Sequence, residues 1–110
     1  MSPATAKHDS VAPVFAALGD ETRFSLVVRL SAGDQMSIKR LTEGTDVTRQ
    51  AVTRHLEVLA AAGLVRGTRR GRERLWEIEP KRIERARRSL DEISRWWDKK
   101  LAALKAGIEE

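Results

Sequence analysis

The chain has 110 residues, 41% hydrophobic and 34% charged, with a net charge of +5 and no cysteine. That length supports one modest core rather than two, no apolar run approaches the ~18 residues needed to cross a bilayer, and the lack of cysteine closes disulfide, thiolate-ligand and cysteine-nucleophile chemistry together. Residues 1–10 contain none of the apolar stretch of a secretory signal, so the expected setting is the cytoplasm, with no membrane partner.

Taken in order, residues 1–10 hold Pro3 and small side chains without apolar periodicity, and the expectation is a mobile tail ahead of a single domain over 11–110. Residues 11–18 read as a short helix with Val14, Phe15 and Leu18 inward, ended by Gly19. Asp20 caps a second helix over 21–30, with Phe24, Val27, Val28 and Leu30 as its apolar positions and Glu21 at its positive end. After a turn at Ala32, Gly33 and Asp34, residues 36–38 suggest a β bridge leading into a helix over 38–43 that faces Ile38 and Leu41 to the core. Gly44 to Val47 is then the kind of short connection that joins the two helices of a helix-turn-helix. Val47 is placed to staple the start of the next helix.

That helix, within residues 46–64, has both ends written: Thr48 caps it and Gly63 stops it. Ala51, Val52, Leu56, Leu59 and Ala60 recur at the three- and four-residue steps of a buried stripe. Arg49, Gln50, Thr53, Arg54 and Glu57 are left outside. Long donors on the first turns of an exposed helix suit base edges in a major groove, where Arg pairs with guanine and Gln with adenine. A merely solvated face is the competing reading, and only the surroundings of the helix decide between the two.

Past Gly63 the period changes from helix to strand. Residues 64–68 and 74–79 read as two strands, with Leu64, Trp76 and Ile78 inward, joined across Arg69, Arg70, Gly71 and Arg72. Placed directly after a helix-turn-helix, such a hairpin is a wing. Pro80 stops it, and residues 81–107 form a long helix with apolar positions Ile83, Ala86, Leu90, Ile93, Trp97, Leu101, Leu104 and Ile108, widened by Trp96. A seam of that length exceeds what the preceding short helices can cover, so part of it is expected to meet another subunit, with the first short helix as companion surface. Lys81, Arg82, Arg85, Arg87 and Arg88 crowd the positive end of this helix. Glu77, Glu79, Glu84 and Glu92 are expected to neutralise them as ion pairs.

The net charge is local. From Arg49 to Arg74 there are seven arginines against Glu57 and Glu73, which is the whole of the chain's excess of +5. An excess confined to one helix and the hairpin after it is a footprint for a polyanion, and arginine favours planar two-donor recognition.

The order of elements resembles the ArsR family of winged-helix bacterial transcriptional repressors. ALGDETR over Ala17 to Arg23 is similar to that family's ALxDxTR signature, RQAVTRHLEVLAAAGLV over Arg49 to Val65 to its recognition helix and following strand, and RRGRERLWEI over Arg69 to Ile78 to its wing. The resemblance covers all but the tail and implies a mainly α fold with a small β-hairpin, a winged helix-turn-helix with a long C-terminal dimerisation helix. It implies a homodimer on a pseudo-palindromic operator in double-stranded DNA, with dimer contacts from the first and last helices, here Val14 and Phe15 with Leu90, Ile93, Trp96, Trp97, Leu101 and Leu104. Many members sense metals through cysteines or through His, Asp and Glu on the last helix. This chain departs from them, since His8 lies in the tail, His55 in the recognition helix, and the last helix offers Asp91, Glu92 and Asp98 without histidine. Neither metal nor cofactor is expected.

His55 has no second histidine within helical reach, which favours a structural or DNA-contacting role over metal ligation. No glycine-rich phosphate loop, HExxH or spaced Ser and His pair supports an enzyme. The expected function is therefore a sequence-specific DNA-binding regulator acting as a repressor. Gln50, Thr53 and Arg54 read bases, Thr48 and Arg49 hold phosphate, and the wing arginines Arg69, Arg70 and Arg72 reach backbone or minor groove. The alternative is a helical protein–protein interaction module whose arginines serve solubility.

Overall fold

The computed structural model describes residues 11–109, the side chains of 108 and 109 excepted; the tail expectation for 1–10 lies outside the described residues. The elements run α1 (Ala12–Leu18), α2 (Glu21–Ser31), β1 (Met36–Ser37), α3 (Ile38–Glu43), α4 (Arg49–Ala61), β2 (Val65–Arg70), β3 (Glu73–Ile78) and α5 (Pro80–Glu109). Local chemistry sets most of the boundaries. Asp20, Ser37 and Thr48 cap α2, α3 and α4 by accepting the backbone N–H groups of Arg23, Arg40 and Ala51 at 3.0, 3.2 and 3.1 Å, each satisfying a donor that the first helical turn leaves open. Gly63 closes α4 at φ 80°. Its N–H and that of Leu64 donate to the carbonyls of Ala60 and Leu59, the paired bonds of a Schellman motif. Leu64 and Leu59 are both fully buried.

The three strands are antiparallel in the order β1-β3-β2. The short expected bridge at 36–38 is thus the sheet's third strand, pairing Met36 with Trp76 and Ser37 with Leu75. β2 and β3 extend further toward the tip than the sequence suggested. Arg69 and Arg70 pair with Arg74 and Glu73 inside the ladder, leaving only Gly71 and Arg72 to turn. Gly71 has φ 63° and Arg72 is not at positive φ, the combination of a two-residue type II′ turn, whose twist matches the strands.

Trp76 is the largest of the fully buried side chains and sits among Leu26, Leu30, Leu41, Leu56, Leu59 and Leu64, with Val14 and Val52 in the same core. Its indole N–H has no hydrogen-bond partner, and the Arg74 guanidinium carbon lies 4.4 Å from the ring centre. Gly67, opposite Trp76 in the ladder, makes room for this stacking, because a Cβ there would stand 2.7 Å from Arg74 Nε.

Two expectations are corrected here. On α2 the inward stripe is Arg23, Leu26, Val27 and Leu30, whereas Phe24 and Val28 are 55% and 51% exposed; Phe24 and Val28 are themselves four apart, so periodicity alone admits a second, false face. Glu77 and Glu79, expected to serve the basic turns of α5, are engaged by β2. Both pair with Arg66 of β2, at 2.8 and 2.9 Å, because cross-strand register puts Arg66 opposite Glu77. Within α5, Glu84 meets Arg87 and Arg88, and Arg87 also meets Asp91, the three- and four-residue pairs of one helix face.

α5 is 30 residues long, about 45 Å at 1.5 Å per residue. Pro80 opens it, where a missing N–H costs nothing. Ile83, Ala86 and Ser89 pack on the body, and from Leu90 to Leu104 the apolar seam is bare.

Candidate nucleic-acid interface

α4 stands on α3 and the sheet with Val52, Leu56 and Leu59 fully buried. Its opposite side carries Arg49, Gln50, Arg54 and Glu57, all exposed. Together with Ile38 and Thr53 these side chains line a shallow open depression of about 580 Å³. Thr48 is exposed at the cap, where backbone N–H groups and the helix dipole favour an anion. Thr53 is half-buried, and its hydroxyl donates to the Arg49 carbonyl at 2.8 Å. That hydroxyl hydrogen is committed; the oxygen's lone pairs and the methyl group remain for a ligand.

The arginines of the basic window divide into two kinds. Arg66 is neutralised by Glu77 and Glu79, which holds its own pKa above the usual value and that of Glu77 below it through the shared hydrogen bond. Arg74 is folded onto Trp76. Among the described residues, Arg49, Arg54, Arg69, Arg70 and Arg72 are exposed without an ion-pair partner. Within this window the positive charge free to meet a polyanion is therefore concentrated on the first turns of α4 and the outer wing, a narrower set than composition implied. Cross-strand ion pairing was readable only once the register was known.

The expected dimer residues fall into two groups. Leu90, Ile93, Trp96, Trp97, Leu101 and Leu104 are 47–57% exposed, with Trp96 and Trp97 edge-to-face at 5.2 Å and the Lys100 ammonium 4.5 Å from the Trp96 ring centre. Phe15 is half-buried against the core. Val14 is fully buried inside its own chain and has no surface to offer a second subunit; its place in the dimer set is withdrawn, since α1 spends that side on the core.

A second polar centre was missed. His55 is turned away from the α4 reading face, with Nδ1 at 3.4 Å from Arg23 Nη1 and 3.9 Å from Asp20 Oδ2. Arg23 Nε donates to the Ala17 carbonyl at 2.7 Å. Asp20 is held below the usual carboxylate range, foremost by the Arg23 backbone N–H, with the charge of Arg23 adding to that and desolvation opposing it. The available signal was an arginine occupying a step of the apolar stripe 23-26-27-30. No group of three or more His, Cys, Asp and Glu side chains able to hold a metal occurs among the described residues, and none of their helices is long and apolar enough to cross a membrane.

A capped helix presenting free donors, seated on a preceding short helix and followed by an arginine-edged hairpin, defines a winged helix-turn-helix. The Helix-turn-helix domain family matches residues 18–68. The uncharacterized HTH-type transcriptional regulator YuzN of Bacillus subtilis is 38% identical over 56% of this chain and 74% of its own length. Among solved structures, an ArsR-like transcriptional regulator from Rhodococcus sp. RHA1 superposes with TM-score 0.73 at 36% identity, covering 91% of this chain and 93% of that one. The homodimeric winged helix-turn-helix domain Mb0332 of Mycobacterium bovis shares the fold with TM-score 0.68 at 22% identity, over 86% and 88% of the two chains. The chain belongs to the ArsR-type family of winged helix-turn-helix transcriptional regulators.

Proposed function

We propose that this regulator is a sequence-specific repressor that binds a pseudo-palindromic operator as a homodimer in the cytoplasm, residues 11–110 acting as one DNA-binding and dimerisation domain. One observation carries the reading: Arg49, Gln50 and Arg54 stand exposed on the first two turns of a helix whose opposite side buries Val52, Leu56 and Leu59 completely. Gln50 and Arg54 read base edges, with the methyl and lone pairs of Thr53 beside them. Thr48 and Arg49 receive phosphate at the helix N-terminus, and Arg69, Arg70 and Arg72 extend the contact along the backbone or into the minor groove. The bare seam from Leu90 to Leu104, about 21 Å of helix, receives the same seam of a second copy, and the Mycobacterium bovis fold neighbour is itself homodimeric. Neither metal nor cofactor has a part in this reading, because the chain has no cysteine and carboxylates alone serve soft or borderline ions poorly.

Selection of bound sequences from random duplex DNA at a fixed salt concentration tests it. The expected product is a two-fold symmetric motif with half-sites about one helical turn, or a multiple, apart. No enrichment would overturn the proposal in favour of a helical protein–protein interaction module.

A further inference from the structure

The apolar seat of α4 is made of Val52, Leu56 and Leu59. Aliphatic contacts of this kind are non-directional, so the packing that seats the helix tolerates small rotations about its own axis that a hydrogen bond does not. With side chains a helix is about 10–12 Å across, so a rotation of about 10° displaces a side-chain end by about 1 Å. That displacement spoils hydrogen bonds whose useful range spans about half an ångström. A directional fastening on one flank of α4 narrows that rotation further, and His55 occupies such a flank, about 100° round from Arg54.

We infer that Arg23 and His55 are positioning residues for DNA reading, a polar latch that sets the rotation of α4 and ties it to α1. The inference rests on the DNA-binding role proposed above. Arg23 lies in the groove between α1 and α4. Its Nε–H bonds the Ala17 carbonyl in the last turn of α1, its Nη1 faces His55 Nδ1, and its own backbone N–H holds Asp20. One planar group thus bridges three helices, which an ammonium cannot reproduce. The contact to His55 needs a neutral imidazole with its hydrogen on Nε2, since Arg offers only donors. The side chain of His55 is 23% exposed, so the latch is partly shielded from solvent while Arg54, one residue earlier, is open to it.

The test compares His55→Leu, Arg23→Lys and His55→Asn with the unaltered protein, reading the ratio of operator to random-sequence affinity by anisotropy at fixed salt. His55→Leu removes the acceptor, and His55→Asn restores one where Nδ1 stood. His55→Leu and Arg23→Lys are expected to lower the ratio about tenfold, the loss of one well-aligned base contact, with random-sequence affinity and salt slope unchanged. His55→Asn is expected to stay within about threefold of the unaltered protein. An unchanged ratio in His55→Leu, or a ratio in His55→Asn as low as in His55→Leu, would overturn the latch. So would equal losses on both DNAs. Hydrogen exchange of the Arg49–Ala61 amides supplies a readout without DNA: faster exchange in His55→Leu and Arg23→Lys but not in His55→Asn is expected, and unchanged exchange counts against the latch. If the unaltered protein shows no sequence preference while exchange behaves as expected, the DNA reading fails and the latch stands.

Discussion

Helices α4 and α5 carry the same kind of pattern and use it differently. In α4 the apolar stripe is consumed inside the chain, with Val52, Leu56 and Leu59 at 0% exposure, so its polar side is left as the surface that faces outward. In α5 the stripe is consumed only as far as Ser89, and six large apolar side chains beyond it stand about half exposed. An amphipathic period states that a face will be covered, and not by what. Covering within the chain makes a rigid reading platform; leaving it bare makes an arm whose partner must come from outside.

Truncation separates the two most sharply. Leu56→Ala is expected to cost about 2–5 kcal/mol of folding stability, read as a lowered denaturation midpoint, whereas Leu101→Ala, at a site 57% exposed, leaves the midpoint of the dilute monomer within about 0.5 kcal/mol. Equal losses would mean that the arm folds against its own body. Trp97→Ala is next: sedimentation is expected to find monomers, with operator affinity down by at least about tenfold because half-sites are no longer linked. An intact dimer would move the interface off the seam.

On the reading side the effects are smaller. Arg54→Ala is expected to cost about 1–3 kcal/mol on the selected operator and to relax the preference at one base pair, while Arg70→Ala with Arg72→Ala weakens all sequences alike and flattens the salt dependence by about one to two units of slope. A uniform loss for Arg54→Ala, or an unaltered slope for the wing pair, would exchange or remove these roles. Smallest is a pH effect at the foot of the latch. Asp20 has its folded pKa depressed, foremost by the Arg23 backbone N–H, so its contribution is present above the unfolded carboxyl value of about 4 and is lost as pH falls through the folded value. Asp20→Asn is therefore expected to shrink the loss of stability as pH falls below about 4, and an identical acid limb in both proteins would deny Asp20 that part.

Much of the site was legible because it rests on local chemistry. Thr48 and Gly63 bound α4 through hydrogen bonds that span at most five residues, and the three- and four-residue steps between them name the buried face. Register was less legible. The partners of Arg66 and the extension of β2 through Arg70 depend on which residues of β3 lie opposite, and a one-residue slip would change all of them. On α2, two overlapping four-residue spacings were present, and only packing chose Leu26 over Phe24.

The sequence by itself determined the order of elements, the helix ends, the free donors at Arg49, Gln50 and Arg54 and the apolar length of α5, since each depends on neighbours within one or two turns. Tertiary structure alone decided that Val14 belongs to the core and not to a partner, that Arg66 and Arg74 are spent within the sheet while Arg69, Arg70 and Arg72 are free, and that His55 meets Arg23 from 32 residues away. The physical reason is range. Caps and periodicity act along the chain, whereas charge pairing and burial depend on which distant segments the fold brings within a few ångströms.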